Sequence, residues 1–314
     1  MSVSNAQLDA ICRGVVLSGT GTADNIYDSN PLFTKLKSRN RIVNGGNELI
    51  ENIRYEKNQA SGWFNPHASF STNPNDFIRK AYWDYGYCRS TVTLFESDLA
   101  KCNGAEQYVN LMTESVGNGM DTINDLAGTE LYGNGTTTNG WQGLRLITDA
   151  SETLGGLAPG TYTWWVPGVE DATTSAFSPS ALRANIGAAT KNSVRPQIIS
   201  TTRVIYDDIR DYYESAKIAI QDDKVLTTAG FENVMFDGIP IVVDSHCTAA
   251  YLFGFNIDKG IRFVVNQAGN MQIGKFKDME VAGLWAKTAT IYLMAGITVP
   301  QRRLFFCMSN LPTS

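Results

Sequence analysis

Residues 236–247 read FDGIPIVVDSHC, an apolar run that ends in a carboxylate, an imidazole and a thiol: Asp244, His246 and Cys247. The stretch is either a metal or catalytic cluster, or the end of a buried strand where polar residues enter as the chain leaves the core. Successive side chains of a strand point to opposite faces, so Asp244 and His246 share one face and Cys247 takes the other. The three cannot converge without a bulge. Zinc sites draw on a larger ligand set, commonly in paired spacing, and the only other histidine is His67. On the strand reading, Gly238 and Pro240 lead into Ile239, Ile241, Val242 and Val243, with Asp244 to Cys247 at the exit. Val242 is then expected to be buried, with no metal near His246.

A nucleophile site is no better supported. There is no GxSxG, and a cysteine next to a histidine in sequence is not the arrangement that activates a thiolate. The GTG at 19–21 lacks the third glycine and the preceding strand of a dinucleotide fingerprint, and no GxxxxGK occurs. Asp207, Asp211 and Glu214 would line one helical face, but Arg203 and Arg210 lie on the same helix and i,i+4 and i,i+3 ion pairs account for the series. No catalytic residue, cofactor or metal is assigned, and the chain is read as non-enzymatic.

With 314 residues, 43% of them apolar, the chain is long enough for two subdomains around well-buried cores. Its longest apolar stretches, such as IYLMAGITV at 291–299, fall short of the roughly 20 residues of a membrane helix, so no span is expected. MSVSNAQLDAICRG has no basic segment followed by an apolar one, so no signal peptide is read there and synthesis inside the cell is expected. Five widely spaced cysteines without a CxxC pair fit reduced thiols better than a disulfide framework. The net charge of −5 gives no overall pull towards nucleic acid, so any DNA contact must be local.

From Ser2 to Arg41 the chain is polar, with SGTGTADN and DSNP as turn signals, and reads as an extended arm. Near its end KLKSRNR alternates Lys35, Lys37, Arg39 and Arg41, either a solvated strand edge or a contact with nucleic acid or an acidic neighbour. Residues 47–57 and 76–95 are strand-like, the second placing Phe77, Arg79, Ala81, Trp83, Tyr85 and Tyr87 on one face. Joined by the turn-rich QASGWFNPHASFSTNPN, they form a long hairpin with Trp63, Phe64 and Phe70 near its tip. A free two-stranded ribbon is only marginally stable in water, so this one is expected to lie on another surface, its own or a neighbour's.

Tyr108, Leu111, Met112, Val116, Met120, Ile123, Leu126 and Ala127 recur at helical spacing and predict a helix over about 105–132, roughly 40 Å long. Gly117 and Gly119 within it predict a bend or a close backbone contact, and GNGTTTNG ends it. Beyond Trp141 strands and helices alternate: Ser178 with Pro179 starts a helix, PQIIS is a short strand, and Thr201 or Thr202 caps a helix through about Ala219. RFVVN, MQIGKF, MEVAGLWA, TATIYLMAGITV and RRLFFCM close the chain as β structure.

Arm, long hairpin, very long helix, α/β unit and closing β region, in that order, resemble the major capsid protein of tailed bacteriophages, the Hong Kong 97 type fold. The resemblance spans nearly the whole chain. It is carried by NPLFTKLKSRNRIVNGGNEL, YVNLMTESVGNGMDTINDLAGTELYG, NGWQGL and FDGIPIVVDS. It implies an α+β chain with an N-terminal arm (1–45), an extended loop with peripheral strands (46–92), a spine helix of the peripheral domain (93–138), an axial domain (139–265) and a closing β region (266–314).

The same resemblance implies assembly with itself into the pentamers and hexamers of an icosahedral virion shell around double-stranded DNA, formed in the host cytoplasm. DNA would be held without sequence specificity, with no membrane and no cofactor. A separate scaffolding protein or none, a portal and decoration proteins are the further partners it implies. Trp63, Phe64, Phe70, Tyr82 and Trp83 become candidate intersubunit contacts, and Lys35, Lys37, Arg39 and Arg41 candidate basic contacts of the arm. The alternatives are an encapsulin-like compartment, which encloses proteins in the same fold, and an α+β hydrolase with an atypical site.

Overall fold

The segment read as an arm is, from residue 30 on, built into the body of the protein. The computed structural model describes residues 30–67, 69, 75–101, 105–171, 177–215, 233–280 and 283–311. Asn30 caps helix α1 (Pro31–Lys37): its side chain accepts from the Phe33 N–H at 3.1 Å, and Pro31 fills a first-turn position that needs no donor. Leu32, Phe33 and Leu36 share one helical face and are buried. Strand β1 (Arg41–Val43) then joins a five-stranded sheet. The expectation of an irregular, extended arm over 1–45 is therefore corrected for its described part, because a short apolar stripe outweighs the polar composition around it. Residues 1–29 lie outside the described residues. Lys35 and Lys37 stand on a helix, so the alternation with Arg39 and Arg41 is not that of a strand edge.

Strands β2 (Leu49–Arg54) and β3 (Ile78–Trp83) form the hairpin, in register from Leu49↔Trp83 to Arg54↔Ile78. The single alternating face expected from Phe77 to Tyr87 breaks at Asp84, where β3 ends and β4 (Gly86–Phe95) starts in the other sheet. β4 thus runs through the boundary placed between 92 and 93. A short helix α2 (Glu96–Lys101) precedes α3 (Ala105–Leu131), the 27-residue helix that the periodicity predicts. Ile123, Ala127 and Leu131 are buried, with Met112, Val116 and Met120 packed partly against the same core, whereas Leu126 is exposed. Gly119 explains itself: a Cβ there would stand 3.1 Å from Ile291 Cδ1 and 3.2 Å from Val92 Cγ2, so the helix backbone lies directly on the sheet.

The remaining elements follow: α4 (Leu144–Thr148), β5 (Gly168–Asp171), α5 (Pro179–Ala189), β6 (Ile198–Thr201), α6 (Arg203–Ser215), β7 (Asn233–Phe236), β8 (Ile239–Val243), β9 (Leu252–Phe255), β10 (Arg262–Ile273), β11 (Lys277–Asp278), β12 (Ala286–Thr298) and β13 (Phe305–Ser309). Ser178 caps α5 ahead of Pro179, as the sequence predicts; at the start of α6 the Tyr206 N–H reaches back to the Thr202 carbonyl, while Thr201 belongs to β6 and its hydroxyl donates to the Tyr251 carbonyl. The expected end of α6 at Ala219 lies outside the described residues. Arg203–Asp207 and Arg210–Glu214 pair at 3.0 and 3.6 Å, which accounts for much of the acidic series.

One sheet runs β1-β10-β12-β11 with β4 on the other edge of β12, and the second runs β5-β13-β9-β6-β8-β7. FDGIPIVVDS is a hairpin as well as a strand. Asp237 and Gly238, both at positive φ (51° and 77°), make the tight turn between β7 and β8. Ile239 to Val242 are buried between β6 and β7, Val242 among them. RFVVN and the first three residues of MQIGKF prove to be one strand, β10, bent by irregular register between Val265 and Asn270, so the boundary placed at 265 falls inside it. Of MEVAGLWA, the described residues before Ala286 lie outside the strands and Ala286 starts β12, and β13 returns to the second sheet between β5 and β9.

Arg302 holds the loops between α4 and β5. Its side chain is buried, with no carboxylate bonded to it among the described residues, and donates to the carbonyls of Ile147 (2.9 Å), Glu152 (3.1 Å), Trp165 (3.2 Å), Leu146 (3.4 Å) and Asp149. Burial lowers its pKa to about 10, opposed by the charges of Asp149 and Glu152. Removing the donors strands these carbonyls away from water, so Arg302→Met is expected to cost roughly 3 kcal/mol or more in denaturant unfolding. Gly119→Leu is expected to cost about 1–3 kcal/mol by the same measurement, through overpacking between α3 and the sheet.

Candidate functional site

The hairpin has two unlike faces. Leu49, Ile53, Ala81 and Trp83 point inward, and Trp83 is only 2% exposed. Trp83 is therefore corrected as an intersubunit contact: it packs over Gly155, where a Cβ would approach its ring to 3.0 Å. The Tyr82 N–H donates to the Gly155 carbonyl at 3.0 Å, Tyr55 stacks on Trp164 at 5.4 Å, and Arg262 donates to both Glu51 oxygens at 2.8 and 2.9 Å. The ribbon thus lies on its own chain along one face, which offsets the marginal stability of two strands. Its other face carries the cross-strand pair Ile50–Tyr82 and Ile78, all exposed, and the tip carries Trp63 (106% exposed) and Phe64 (74%). Phe70 lies outside the described residues. Tyr82 and the tip were legible as candidates, whereas Ile50 and Ile78 were not singled out, because alternation alone does not say which face is covered.

The basic series does not act together. Lys37 reaches the spine helix α3 and donates to the Asn124 side-chain carbonyl at 3.2 Å. Burial lowers its pKa, partly opposed by Asp121. Arg39 pairs with Asp258. Lys35 is half-buried on α1, and Arg41 is exposed at the start of β1.

At the exit of β8 the structure departs from strand alternation. The strand ends at Val243, and the next residues turn, so Asp244 and His246 meet: the His246 N–H donates to Asp244 Oδ1 at 3.0 Å, and its Nδ1 stands 3.4 Å from the same oxygen. The imidazole lies against α3 at Gly128, where a Cβ would come within 3.2 Å of its Cγ and would collide with Asn30. From α3, Asp125 meets His246 Nε2 at 2.7 Å. Asp244 is 0% exposed, and burial raises its pKa, opposed by the hydrogen bond it accepts from the His246 N–H and by the nearness of Tyr132 and of the Leu32 N–H at the start of α1. The Tyr132 hydroxyl and the Ser200 hydroxyl lie buried beside it. One carboxylate therefore lies buried where α1, the end of α3 and the second sheet meet.

Asp125 and Tyr132 escape sequence reading because they lie more than a hundred positions away from residues 244–246. A glycine at 128 on an otherwise regular helix was the available signal. The cluster is poorly suited to catalysis. Burial, reinforced by Asp244, drives the Cys247 thiol well above its usual range, so no thiolate is available. Both ring nitrogens of His246 face carboxylates, which leaves neither to activate a nucleophile. Among the described residues no group of three or more His, Cys, Asp and Glu can hold a metal ion, and no helix is long and apolar enough to cross a membrane.

No protein-family model and no curated protein matches the chain. Solved structures do. The capsid chain of cyanophage A-1(L) is 15% identical with a TM-score of 0.72, over 94% of this chain and 96% of that one. A chain of Mycobacterium phage Cain is 10% identical with a TM-score of 0.62, over the whole of both. The encapsulin of the holo-SrpI complex from Synechococcus elongatus PCC 7942 is 9% identical with a TM-score of 0.62, over 100% and 98%. Element order, the long helix on a five-stranded sheet, the half-covered hairpin and these full-length likenesses agree: the chain has the α+β Hong Kong 97 type capsid fold.

Proposed function

We propose that the chain is the major capsid protein of a tailed bacteriophage, a non-enzymatic subunit that assembles with itself into the pentamers and hexamers of an icosahedral shell around double-stranded DNA. The observation that carries this reading is the full-length likeness to phage capsid chains, joined to a hairpin whose outer face and tip leave Trp63, Phe64, Ile50, Ile78 and Tyr82 in solvent. Exposed aromatic surface of this kind marks an interface. A neighbouring copy covers it in this reading. The shell forms in the host cytoplasm and becomes the head of the virion, with a portal and, where the system uses them, scaffolding and decoration proteins as partners. DNA is held without sequence specificity. Of the basic series, Arg41 is the residue offered for an outward contact, since Lys37 and Arg39 are engaged within the chain.

One observation favours a second reading. The encapsulin likeness is as complete as that to the mycobacteriophage chain, so a compartment that encloses protein rests on the same fold. Contents separate the two: shells purified from infected cells that hold DNA support the capsid, and shells filled with a protein cargo support the compartment.

Electron microscopy of the full-length chain, alone and with lysate of infected cells, is expected to show closed shells. A chain that remains monomeric under both conditions at high concentration overturns the proposal. Trp63→Ala combined with Phe64→Ala, at two positions exposed in the single chain, is expected to leave the circular dichroism unchanged and to lower the assembled fraction by at least about tenfold in sedimentation.

A further inference from the structure

We propose that Asn44 is a self-modifying position, which the fold leaves free to close on the Gly45 nitrogen and convert to aspartate and isoaspartate. The inference does not depend on what the assembled protein encloses. Five asparagines precede a glycine in this chain: Asn44, Asn103, Asn118, Asn134 and Asn139. In such a pair the glycine nitrogen can attack the asparagine Cγ, because no side chain on the glycine crowds the approach. The bond from the glycine nitrogen to Cγ forms and the bond from Cγ to Nδ2 breaks. Nδ2 leaves as ammonia, carrying the proton that the glycine nitrogen gives up. Water then opens the five-membered succinimide ring at either carbonyl, which gives aspartate or its β-linked isomer. The sequence needs no oxidant or reductant.

Ring closure needs a free carboxamide, a glycine N–H outside any hydrogen bond, and a backbone able to bend. Asn44 meets all three conditions. It lies exposed between β1 and β2, and among the described residues neither its side chain nor the Gly45 N–H makes a hydrogen bond. Gly45 and Gly46 stand at φ 72° and 96°, with nothing within 4 Å of a Cβ placed at Gly45. The other described pairs are held. Asn118 and Gly119 lie inside α3, with the glycine pressed on Ile291 and Val92. Asn134 Oδ1 accepts from the Thr136 hydroxyl at 2.7 Å and from its N–H at 3.4 Å. The Gly140 N–H donates to the Thr137 carbonyl at 3.0 Å, and the Asn139 carbonyl accepts from the Tyr87 N–H at 3.0 Å. Asn103 lies outside the described residues.

The place of Asn44 in the fold gives the change a consequence. Residues 44–48 are one of the two links between the hairpin and the five-stranded sheet, the other being Asp84 and Tyr85. Conversion puts a carboxylate into the first link, and the β-linked product lengthens its main chain by one carbon while the second link keeps its length.

The full-length protein is incubated at neutral pH and physiological temperature, in buffer and in concentrated urea, until the urea sample has converted. Each pair is then followed by peptide mass spectrometry, with electron-transfer fragmentation to separate isoaspartate from aspartate. In buffer, Asn44 is expected to convert at least about fivefold faster than Asn118, Asn134 and Asn139, the factor that one hydrogen bond confers on a held site. In urea the four are expected to convert at similar rates, because the fold that holds three of them is gone. Asn44→Gln, whose longer side chain closes a larger ring, is expected to abolish conversion at this position and to leave the other pairs as in wild type. An Asn44 that stays intact in buffer while it converts in urea, or that leads the other pairs by the same factor in both, overturns the proposal.

Discussion

The backbone of the spine helix runs closer to its neighbours than side chains normally permit, and much of the molecule is arranged around that contact. At Gly119 the helix rests on Ile291 and Val92 of the five-stranded sheet, and about two and a half turns later, at Gly128, Asn30 and His246 lie on its bare backbone. Glycine costs helix stability, up to about 1 kcal/mol each relative to alanine. Here the cost is offset by apolar burial on one side, where Ile123, Ala127 and Leu131 are nearly or wholly removed from water. On the other side it permits polar contact between elements far apart in sequence. A single rod thereby ties the first described helix, the first sheet and the second sheet together.

Polar groups do the connecting where apolar packing would give no direction. Arg302 gathers the carbonyls of a long irregular segment that has little secondary structure of its own. Asp244, at the junction of α1, α3 and β8, accepts from the His246 N–H of the following turn. Both groups are fully buried, so each is costly unless its hydrogen bonds are made, and each fixes a geometry more sharply than dispersion contacts alone. The hairpin follows the opposite logic. Only one of its faces is covered by the chain itself, and the face left open still carries Ile50, Ile78 and Tyr82, with Trp63 and Phe64 at the tip.

Much of the architecture could be read from residues alone. The spine helix follows from apolar spacing over 105–132, the start of α5 from Ser178 with Pro179, the approximate start of α6 from Thr201 or Thr202, and the buried strand at 239–243 from its apolar run. Each is a local pattern whose physical cause sits within a few residues. Element order supplied the rest of the resemblance. What local pattern misread is equally specific. Residues 31–37 form a packed helix although the surrounding composition suggests an arm, and one alternating run from Phe77 to Tyr87 is shared between two sheets because the chain turns at Asp84.

By itself the sequence determined the elements and their order, because helix period, caps and apolar runs act over short distances. Tertiary structure decided which face of each element is covered. Trp83 and Tyr82 are adjacent and equally aromatic, yet one is sealed over Gly155 and the other lies open, since neighbouring strand residues point opposite ways and only packing says which way is in. The same holds for FDGIPIVVDSHC. Its apolar half announced a buried strand, but the fate of Asp244 and His246 depended on a helix more than a hundred residues earlier, brought to hydrogen-bonding distance by the fold.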